Sequence, residues 1–97
     1  DGWIEGKATF ARGYLDAGGD ADLLAHIMDA VIPCEHGWGE WVGGNGYLSR
    51  AQFHPDTWER AGGGDPHDAY QVGGNVARWI DLIDDPGSAS GWPVCWW

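Results

Sequence analysis

The sequence has few basic residues and no long apolar segment, and each shortage excludes a class of protein. Five lysines and arginines stand against fifteen acidic residues, which gives a formal net charge of −10. Such a surface repels phosphate groups, and no basic patch lies among the aromatic residues, so nucleic-acid binding is not expected. No apolar run approaches the roughly 20 residues that a membrane-spanning helix needs. We therefore expect neither a nucleic-acid partner nor a membrane span.

Other signals are missing as well. The chain begins at Asp1 without the basic stretch and apolar segment of a secretion signal, so we expect any such signal or neighbouring domain to have been removed. The four histidines lack the spacing of metal ligands, and we predict neither a metal nor another cofactor. The serines lie outside any nucleophile-elbow motif, which argues against acyl-transfer catalysis.

The chain has two cysteines, Cys34 and Cys95, which admit two interpretations. A single domain of 97 residues has a small core, so its stability is marginal without a further constraint. A disulfide would close most of the chain and stabilise the fold by about 4 kcal/mol in the chain-entropy model. It would also place the protein in an oxidising compartment outside the cytoplasm. The alternative is two buried thiols in a cytosolic protein.

Glycine clusters divide the chain into short periodic segments, with no internal repeat and no linker. The first segment, about Glu5 to Ala17, is predicted to be a helix. Asp20 is placed to cap a second helix, which Pro33 is predicted to kink or stop. The glycine-rich stretch from Gly37 to Arg50 favours a loop or small hairpin.

Two further helices are predicted in the second half of the chain. Pro55 is suited to the first turn of a short helix that runs through Arg60. Asp65-Pro66 is predicted to open the last helix. Its apolar residues follow the helical period and are Val72, Val76, Trp79, Ile80 and Ile83.

Eight tryptophans are several times the usual share for a chain of this length. Trp79 lies on an apolar helix stripe and is interpreted as a core residue, with Trp3 and Trp58 as further core candidates. Indole rings also stack on the apolar C–H faces of sugars. The tryptophans in glycine-rich or proline-flanked loops are therefore candidates for lining a glycan groove, and they are Trp38, Trp41 and Trp92.

Glu35 is the candidate for chemistry, because it follows Cys34 at a predicted helix end and precedes the aromatic loops. Cleavage of a glycosidic bond at neutral pH needs a proton donor. A carboxylic acid in an apolar pocket keeps its proton because desolvation disfavours the anion. Without such a pocket, a single glutamate is an ordinary surface residue.

Several rare residues follow one another in a specific order between about Ala21 and Cys95. They are Cys34-Glu35-His36-Gly37-Trp38, Gly44-Asn45-Gly46-Tyr47, Gln52-Phe53, Thr57-Trp58, Gly62-Gly63-Gly64 and Trp92-Pro93-Val94-Cys95. This series resembles the catalytic domain of the resuscitation-promoting factors, secreted bacterial relatives of lysozyme and of soluble lytic transglycosylases. The resemblance implies a mainly α (α+β lysozyme-like) fold, a small helical domain with a Gly-rich loop or short hairpin and one disulfide. A single domain would span residues 1–97, with a motif-bearing core over 20–97 and an N-terminal helical extension over 1–19.

The resemblance also implies a role for individual residues. Glu35 matches the catalytic acid of the family, and Cys34 and Cys95 match its disulfide. The implied activity is cleavage of the β-1,4 linkage between N-acetylmuramic acid and N-acetylglucosamine by a secreted, monomeric enzyme at the bacterial cell wall. The predicted contacts to peptidoglycan glycan strands are Trp38, Trp41, Asn45, Tyr47, Gln52, Phe53, Thr57, Trp58 and Trp92.

Several points stay open. His36 stands where the family has a hydroxyl, and Ser49 and Arg50 stand where it has glycines, which bears on subsites more than on the reaction. A second carboxylate would be Glu40, Asp56 or Glu59, with Glu40 the best placed. Without one, the substrate's own N-acetyl or 6-hydroxyl group would complete the reaction. The alternative functions are a carbohydrate-binding domain that does not cleave, and a small scaffold that binds a protein through its aromatic residues.

Overall fold

The protein is described by a computed structural model, which covers residues 2–35, 37–38, 46–49, 51–82, 92 and 94–96, with side chains from residue 6 onwards. Over these residues the fold is mainly helical, as predicted, and is consistent with a small lysozyme-like domain. A π-helical turn, Ile27–Val31, joins α2 to α3. The helices are α1 (Gly2–Asp16), α2 (Ala21–His26), α3 (Ile32–Glu35), α4 (Pro55–Arg60) and α5 (Ala69–Leu82).

The β content of the described residues is one antiparallel bridge between Leu48 and Phe53. It closes a tight turn at the end of the glycine-rich stretch, where a loop or small hairpin was predicted. Within this described part of the chain, no helix combines the length and the apolar character needed to cross a membrane.

The centre of the fold is the packing of α1 against α5. Gly13 of α1 lies against the backbone carbonyl of Tyr70, and Gly73 of α5 lies against that of Phe10. A Cβ atom at either glycine would collide with backbone, so the two helix backbones approach as closely as glycine permits. Both helices bury side chains in one hydrophobic cluster, which includes Phe10, Tyr14, Val72, Val76, Ala77 and Trp79. The N-terminal helix, predicted as an extension, is therefore part of the core.

At the start of three helices, a polar side chain accepts a hydrogen bond from a backbone N–H. The Asp20 carboxylate accepts the Asp22 backbone N–H at 2.8 Å, which confirms Asp20 as the cap of α2. His54 caps α4, and Pro55 is its first residue as predicted. The predicted start of α5 is wrong by a few residues. Asp65 and Pro66 lie in a preceding turn, and the carboxylate that accepts the Tyr70 N–H is that of Asp68.

Aromatic rings form a continuous row through the core. Trp58 contacts Phe53 with ring centroids 5.2 Å apart, and Phe53 contacts Trp79 at 5.0 Å. Trp79 then meets Trp92 edge to face at 5.0 Å, and Trp92 stacks with Trp96 at 6.1 Å. This row confirms Trp58 and Trp79 as core residues and draws the C-terminal segment onto the helices. Of the predicted core residues, the side chains of Trp3 and Ile83 lie outside the described part.

The triple-glycine turn after α4 is held by polar groups of α5. Gly62, Gly63 and Gly64 all have positive φ angles, which side-chain-bearing residues rarely adopt. The buried Asn75 amide donates to the Gly63 carbonyl at 2.8 Å, and Arg78 Nε donates to the Ala61 carbonyl at 2.7 Å. These bonds dock the end of α4 on α5 and so position the short helix that carries Thr57 and Trp58.

Candidate functional site

The candidate site is built on the end of α3, which a disulfide fixes. Cys34 and Cys95 are bonded with an S–S distance of 2.04 Å and Cα atoms 5.5 Å apart, across a sequence separation of 61 residues. The predicted disulfide is therefore confirmed. Because Glu35 is the next residue along the chain, the bridge ties the backbone beside its carboxyl group to the C-terminal segment.

The Glu35 side chain is half-buried at the last position of α3. Burial raises the pKa of this carboxyl above the ordinary glutamate value. A carboxyl group with a raised pKa keeps its proton to higher pH than an exposed glutamate does. This is the property that a general acid for glycosidic cleavage needs.

The helix that ends at Glu35 is irregular, and Pro33 accounts for the irregularity. Pro33 was predicted to kink or stop the helix, and of these two alternatives the stop is wrong, because the chain stays helical through Glu35. Ahead of the proline the helix widens into a π-helical turn, in which the Ile32 N–H donates to the Ile27 carbonyl five residues back. The next bond of that pattern would join residue 33 to Met28, and proline has no N–H to supply it.

Trp38 supplies the missing donor. Its indole Nε1–H donates to the Met28 carbonyl at 3.0 Å. The Trp38 ring is 5% exposed and meets Phe10 of α1 edge to face, with ring centroids 5.3 Å apart. The Lys7 ammonium lies 5.8 Å from the centroid of the Trp38 ring, within the range of a cation–π contact.

Four of the predicted glycan contacts are buried aromatic residues. Each is at most 5% exposed, and they are Trp38, Phe53, Trp58 and Trp92. A sugar stacks on the open face of a ring, so side chains this deeply buried lack the surface that such stacking needs. The indole N–H groups of the three tryptophans also have partners inside the protein. Besides the bond of Trp38 to Met28, Trp58 donates to the Gly64 carbonyl and Trp92 to the Ala51 carbonyl. We therefore interpret these four residues as core residues that support the site from below.

The other predicted contacts divide into two groups. Tyr47 is exposed, and Gln52 and Thr57 are half-buried, so these three offer surface to a ligand. Trp41 and Asn45 lie outside the described residues, as does Glu40, the favoured second carboxylate. Asp56 and Glu59, the other two candidate carboxylates, are exposed on α4.

The tight turn that carries Gln52 has an unusual backbone. Ser49 and Gln52 have φ angles of 68° and 57°, in the left-handed region that favours glycine. The buried Ser49 hydroxyl oxygen accepts the Ala51 N–H at 3.1 Å, and the Gln52 amide donates to the Ser49 carbonyl at 2.8 Å. Ser49 stands where the family pattern has glycine. The left-handed φ angle at this position explains that preference, and the hydrogen bond from the Ala51 N–H to the Ser49 hydroxyl stabilises serine there.

A polar groove of about 170 Å³ lies elsewhere, between α1 and α5, where Asp16, Tyr70 and Arg78 contribute to its walls. None of its lining residues is a predicted site residue. Across the described residues, no group of three or more His, Cys, Asp or Glu side chains is arranged to hold a metal ion.

Sequence reasoning missed the part played by Met28 and Pro33. The signal was present, because a proline inside a helical pattern leaves a backbone carbonyl that needs another donor. It did not indicate which side chain would supply that donor. Trp38 was instead grouped with the loop tryptophans, because its position among glycines resembles an exposed loop.

Comparison with known proteins supports the resemblance that the motifs indicated. The chain is 31% identical over 93 residues, or 91% of its length, to resuscitation-promoting factor Rpf2 of Corynebacterium glutamicum. It spans 23% of the length of that relative. No protein-family model matches the chain, and no solved structure gives a significant match. The resemblance to the resuscitation-promoting factors is therefore confirmed, over a part of that relative about as long as this chain.

Proposed function

We propose that this domain cleaves the glycan strands of bacterial peptidoglycan, with Glu35 as general acid and then base. The observation that carries the proposal is the half-buried Glu35 carboxyl, with its raised pKa, at the end of a helix tied by the Cys34–Cys95 disulfide. The relation to a resuscitation-promoting factor supports the same substrate class. The disulfide favours an oxidising compartment, so we place the domain outside the cytoplasm. We further propose that it acts at the cell wall and as a monomer.

The proposed reaction begins with protonation of the bond to be cleaved. The Glu35 carboxyl gives its proton to the glycosidic oxygen between N-acetylmuramic acid and N-acetylglucosamine. The bond from that oxygen to the anomeric carbon of N-acetylmuramic acid then breaks, which leaves an oxocarbenium-like centre on that sugar and a carboxylate on Glu35. The carboxylate next acts as the base.

Two nucleophiles could complete the reaction. If water attacks the anomeric carbon and loses a proton to Glu35, the product has a reducing end, as with a muramidase. If the 6-hydroxyl of the same sugar attacks and loses its proton to Glu35, the product is an anhydro ring. Both routes restore the protonated carboxyl. The second needs no other carboxylate, which suits a site where Asp56 and Glu59 are exposed on α4.

The glycan is proposed to contact the accessible residues of the predicted set. Among the described residues these are Tyr47 just before the tight turn, Gln52 on it and Thr57 on α4. Trp41 and Asn45 remain proposed contacts, on the strength of the sequence motifs. The buried Phe53 and Trp58 rings lie beneath this surface, and they hold the turn and α4 together.

Mass spectrometry of purified peptidoglycan digested by the domain tests the proposal. We expect muropeptide release by the wild type and a loss of several hundredfold or more for Glu35→Gln, which has the same shape and no proton to give. Products one water lighter than hydrolytic ones would identify an anhydro sugar, and reducing ends would identify hydrolysis. Full activity in Glu35→Gln would contradict the proposal. Binding of the glycan by both proteins without cleavage would assign the domain to glycan binding.

A further inference from the structure

We propose that Trp38 is a positioning residue for Glu35 and does not contact the glycan. Its indole takes the place of the N–H that Pro33 lacks and thereby fixes the helix end that presents the Glu35 carboxyl. This inference rests on the proposed function only for the part that concerns catalysis. The control that Trp38 exerts over the surroundings of Glu35 holds whether or not the domain cleaves glycans.

The first step of the argument concerns the Met28 carbonyl. In the π-helical turn, hydrogen bonds run from an N–H to the carbonyl five residues back, as from Ile32 to Ile27. Pro33 interrupts this series at Met28. A carbonyl without a partner in a partly buried helix is costly, so its pairing with Trp38 Nε1 at 3.0 Å stabilises this irregular segment. π-Helical turns of this kind are frequent at functional sites.

The second step concerns the backbone that follows Glu35. At two successive residues after Glu35, the chain is bonded back to the helix that precedes Glu35. The Gly37 N–H donates to the Ile32 carbonyl at 2.7 Å, and the Trp38 indole donates to the Met28 carbonyl at 3.0 Å. The segment that carries the carboxyl is therefore folded back onto its own helix, and its direction depends on both bonds.

The third step concerns the surroundings of the Trp38 ring. The ring is 5% exposed, with its contact to Phe10 at 5.3 Å and an interplanar angle of 84°. It thereby fastens the end of α3 to α1, a helix that holds none of the predicted site residues. Such a buried ring has no open face for a sugar, whereas its N–H has a structural partner. The geometry thus favours positioning over ligand contact.

The test compares two substitutions that each remove one aromatic donor to a backbone carbonyl. Trp38→Phe keeps an aromatic ring beside Phe10 and loses the N–H. The matched control is Tyr14→Phe, which removes the buried Tyr14 hydroxyl that donates to the Asp20 carbonyl at 2.8 Å, 15 residues before Glu35 in the sequence. Both variants are assayed on soluble peptidoglycan glycan fragments across a pH series, at a temperature well below their unfolding midpoints.

For Trp38→Phe we expect kcat to fall by roughly 10- to 100-fold with little change in KM, since a misplacement of about 1 Å can cost on the order of 100-fold. Release of this helix end is expected to expose the half-buried Glu35 carboxyl to more water, so the alkaline limb of the pH profile should move to lower pH. Tyr14→Phe is expected to keep the wild-type profile. An unchanged profile in Trp38→Phe, or a raised KM with unchanged kcat, would overturn the proposal.

A second variant tests the hydrogen bond to the Met28 carbonyl directly. It also keeps the proposal testable if Trp38→Phe folds poorly. Pro33→Ala restores a backbone N–H at position 33, which can bond to the Met28 carbonyl without the indole. We therefore expect the double variant Pro33→Ala, Trp38→Phe to recover much of the activity and of the pH profile that Trp38→Phe loses. A double variant no better than Trp38→Phe would count against the role assigned to this bond.

A measurement without substrate separates this inference from the proposed function. The Glu35 carboxyl is titrated by ¹³C NMR in the wild type, in Trp38→Phe and in Tyr14→Phe. We expect its pKa to fall towards the ordinary value in Trp38→Phe and to stay at the wild-type value in Tyr14→Phe. If the wild type fails to cleave peptidoglycan and this difference is still seen, the proposed function fails while the positioning role stands. If the three titrations coincide, the positioning role fails.

Discussion

Gly73 of α5 lies directly against the backbone carbonyl of Phe10 in α1, and Gly13 of α1 lies in the same way against that of Tyr70 in α5. The two contacts are reciprocal, since each helix contributes one glycine and receives one carbonyl. They bring α1 into the core beside the Phe10 and Tyr14 side chains. The domain therefore depends on a helix that the family motifs do not include.

Substitution of either glycine is expected to separate the two helices. Gly73→Ala and Gly13→Ala each place a methyl group against backbone that cannot move without shifting a whole helix. We expect each to lower the free energy of unfolding by about 1–3 kcal/mol, the usual cost of overpacking, or somewhat more. Urea denaturation followed by tryptophan fluorescence measures the change.

The matched control for these substitutions is Gly6→Ala, also in α1. A Cβ at Gly6 would meet nothing within 4 Å, so the methyl group only lowers the flexibility of the unfolded chain and improves the helix. We expect a gain of roughly 0.5–1 kcal/mol. Equal effects at positions 6, 13 and 73 would show that helix propensity, and not the close approach, governs all three.

Reduction of the Cys34–Cys95 disulfide is expected to destabilise the domain strongly. The bridge spans 61 residues, and the loop-entropy argument gives a loss of about 4 kcal/mol for a loop of this size. The measurement is the urea midpoint with and without a phosphine reductant. The double variant Cys34→Ser, Cys95→Ser serves as control. Its urea midpoint should match that of the reduced wild type and should be the same with and without the reductant. A wild-type midpoint that reductant leaves in place would contradict the expectation.

The raised pKa of Glu35 predicts how stability depends on pH. Burial favours the protonated carboxyl in the folded state, so its stabilising effect is complete below the ordinary pKa of 4.5 and is lost as pH rises through the folded-state pKa. Glu35→Gln does not titrate. We therefore expect Glu35→Gln to unfold at a higher temperature than the wild type at pH 7, and the difference to shrink towards pH 4.

Thermal unfolding at a series of pH values provides the measurement. Asp56→Asn is a suitable control, because Asp56 is an exposed carboxyl at the start of α4. Loss of its charge removes a favourable interaction with the positive end of that helix, so it should lower stability at pH 7. If Glu35→Gln also proved less stable than the wild type at pH 7, burial would not be the dominant influence on this carboxyl.

Local chemistry explains which parts of the fold were predictable from the sequence. Asp20 and Pro55 act on backbone within three residues of themselves, and both helix starts were predicted correctly. Asp65 and Asp68 both make the same kind of side-chain contact to a backbone N–H two residues on, so the sequence could not show which one begins α5. The start of that helix was placed too early for this reason.

The burial of the loop tryptophans could not be predicted in the same way. Trp38 lies among glycines and Trp92 beside a proline, and either setting suits a surface residue. Their burial depends on partners distant in the chain, such as the Ala51 carbonyl that Trp92 reaches across a sequence separation of 41 residues. The motif that marked Glu35 and the cysteines does not encode those partners. It therefore identified the cysteine pair, which forms the disulfide, and gave no indication that Trp38, Phe53, Trp58 and Trp92 are buried.

The pairing of α1 with α5 also determines when the chain can fold. Asp16 and Tyr70, which are hydrogen-bonded across the two helices, are 54 residues apart, and Cys34 meets Cys95 across 61. Contacts between residues this far apart in the sequence form late. A chain that emerges from a ribosome or a translocation pore therefore exposes its first helix and its tryptophans until α5 has followed. The net charge of −10 then has a use in the unfolded chain, since mutual repulsion opposes aggregation of these aromatic segments during that interval.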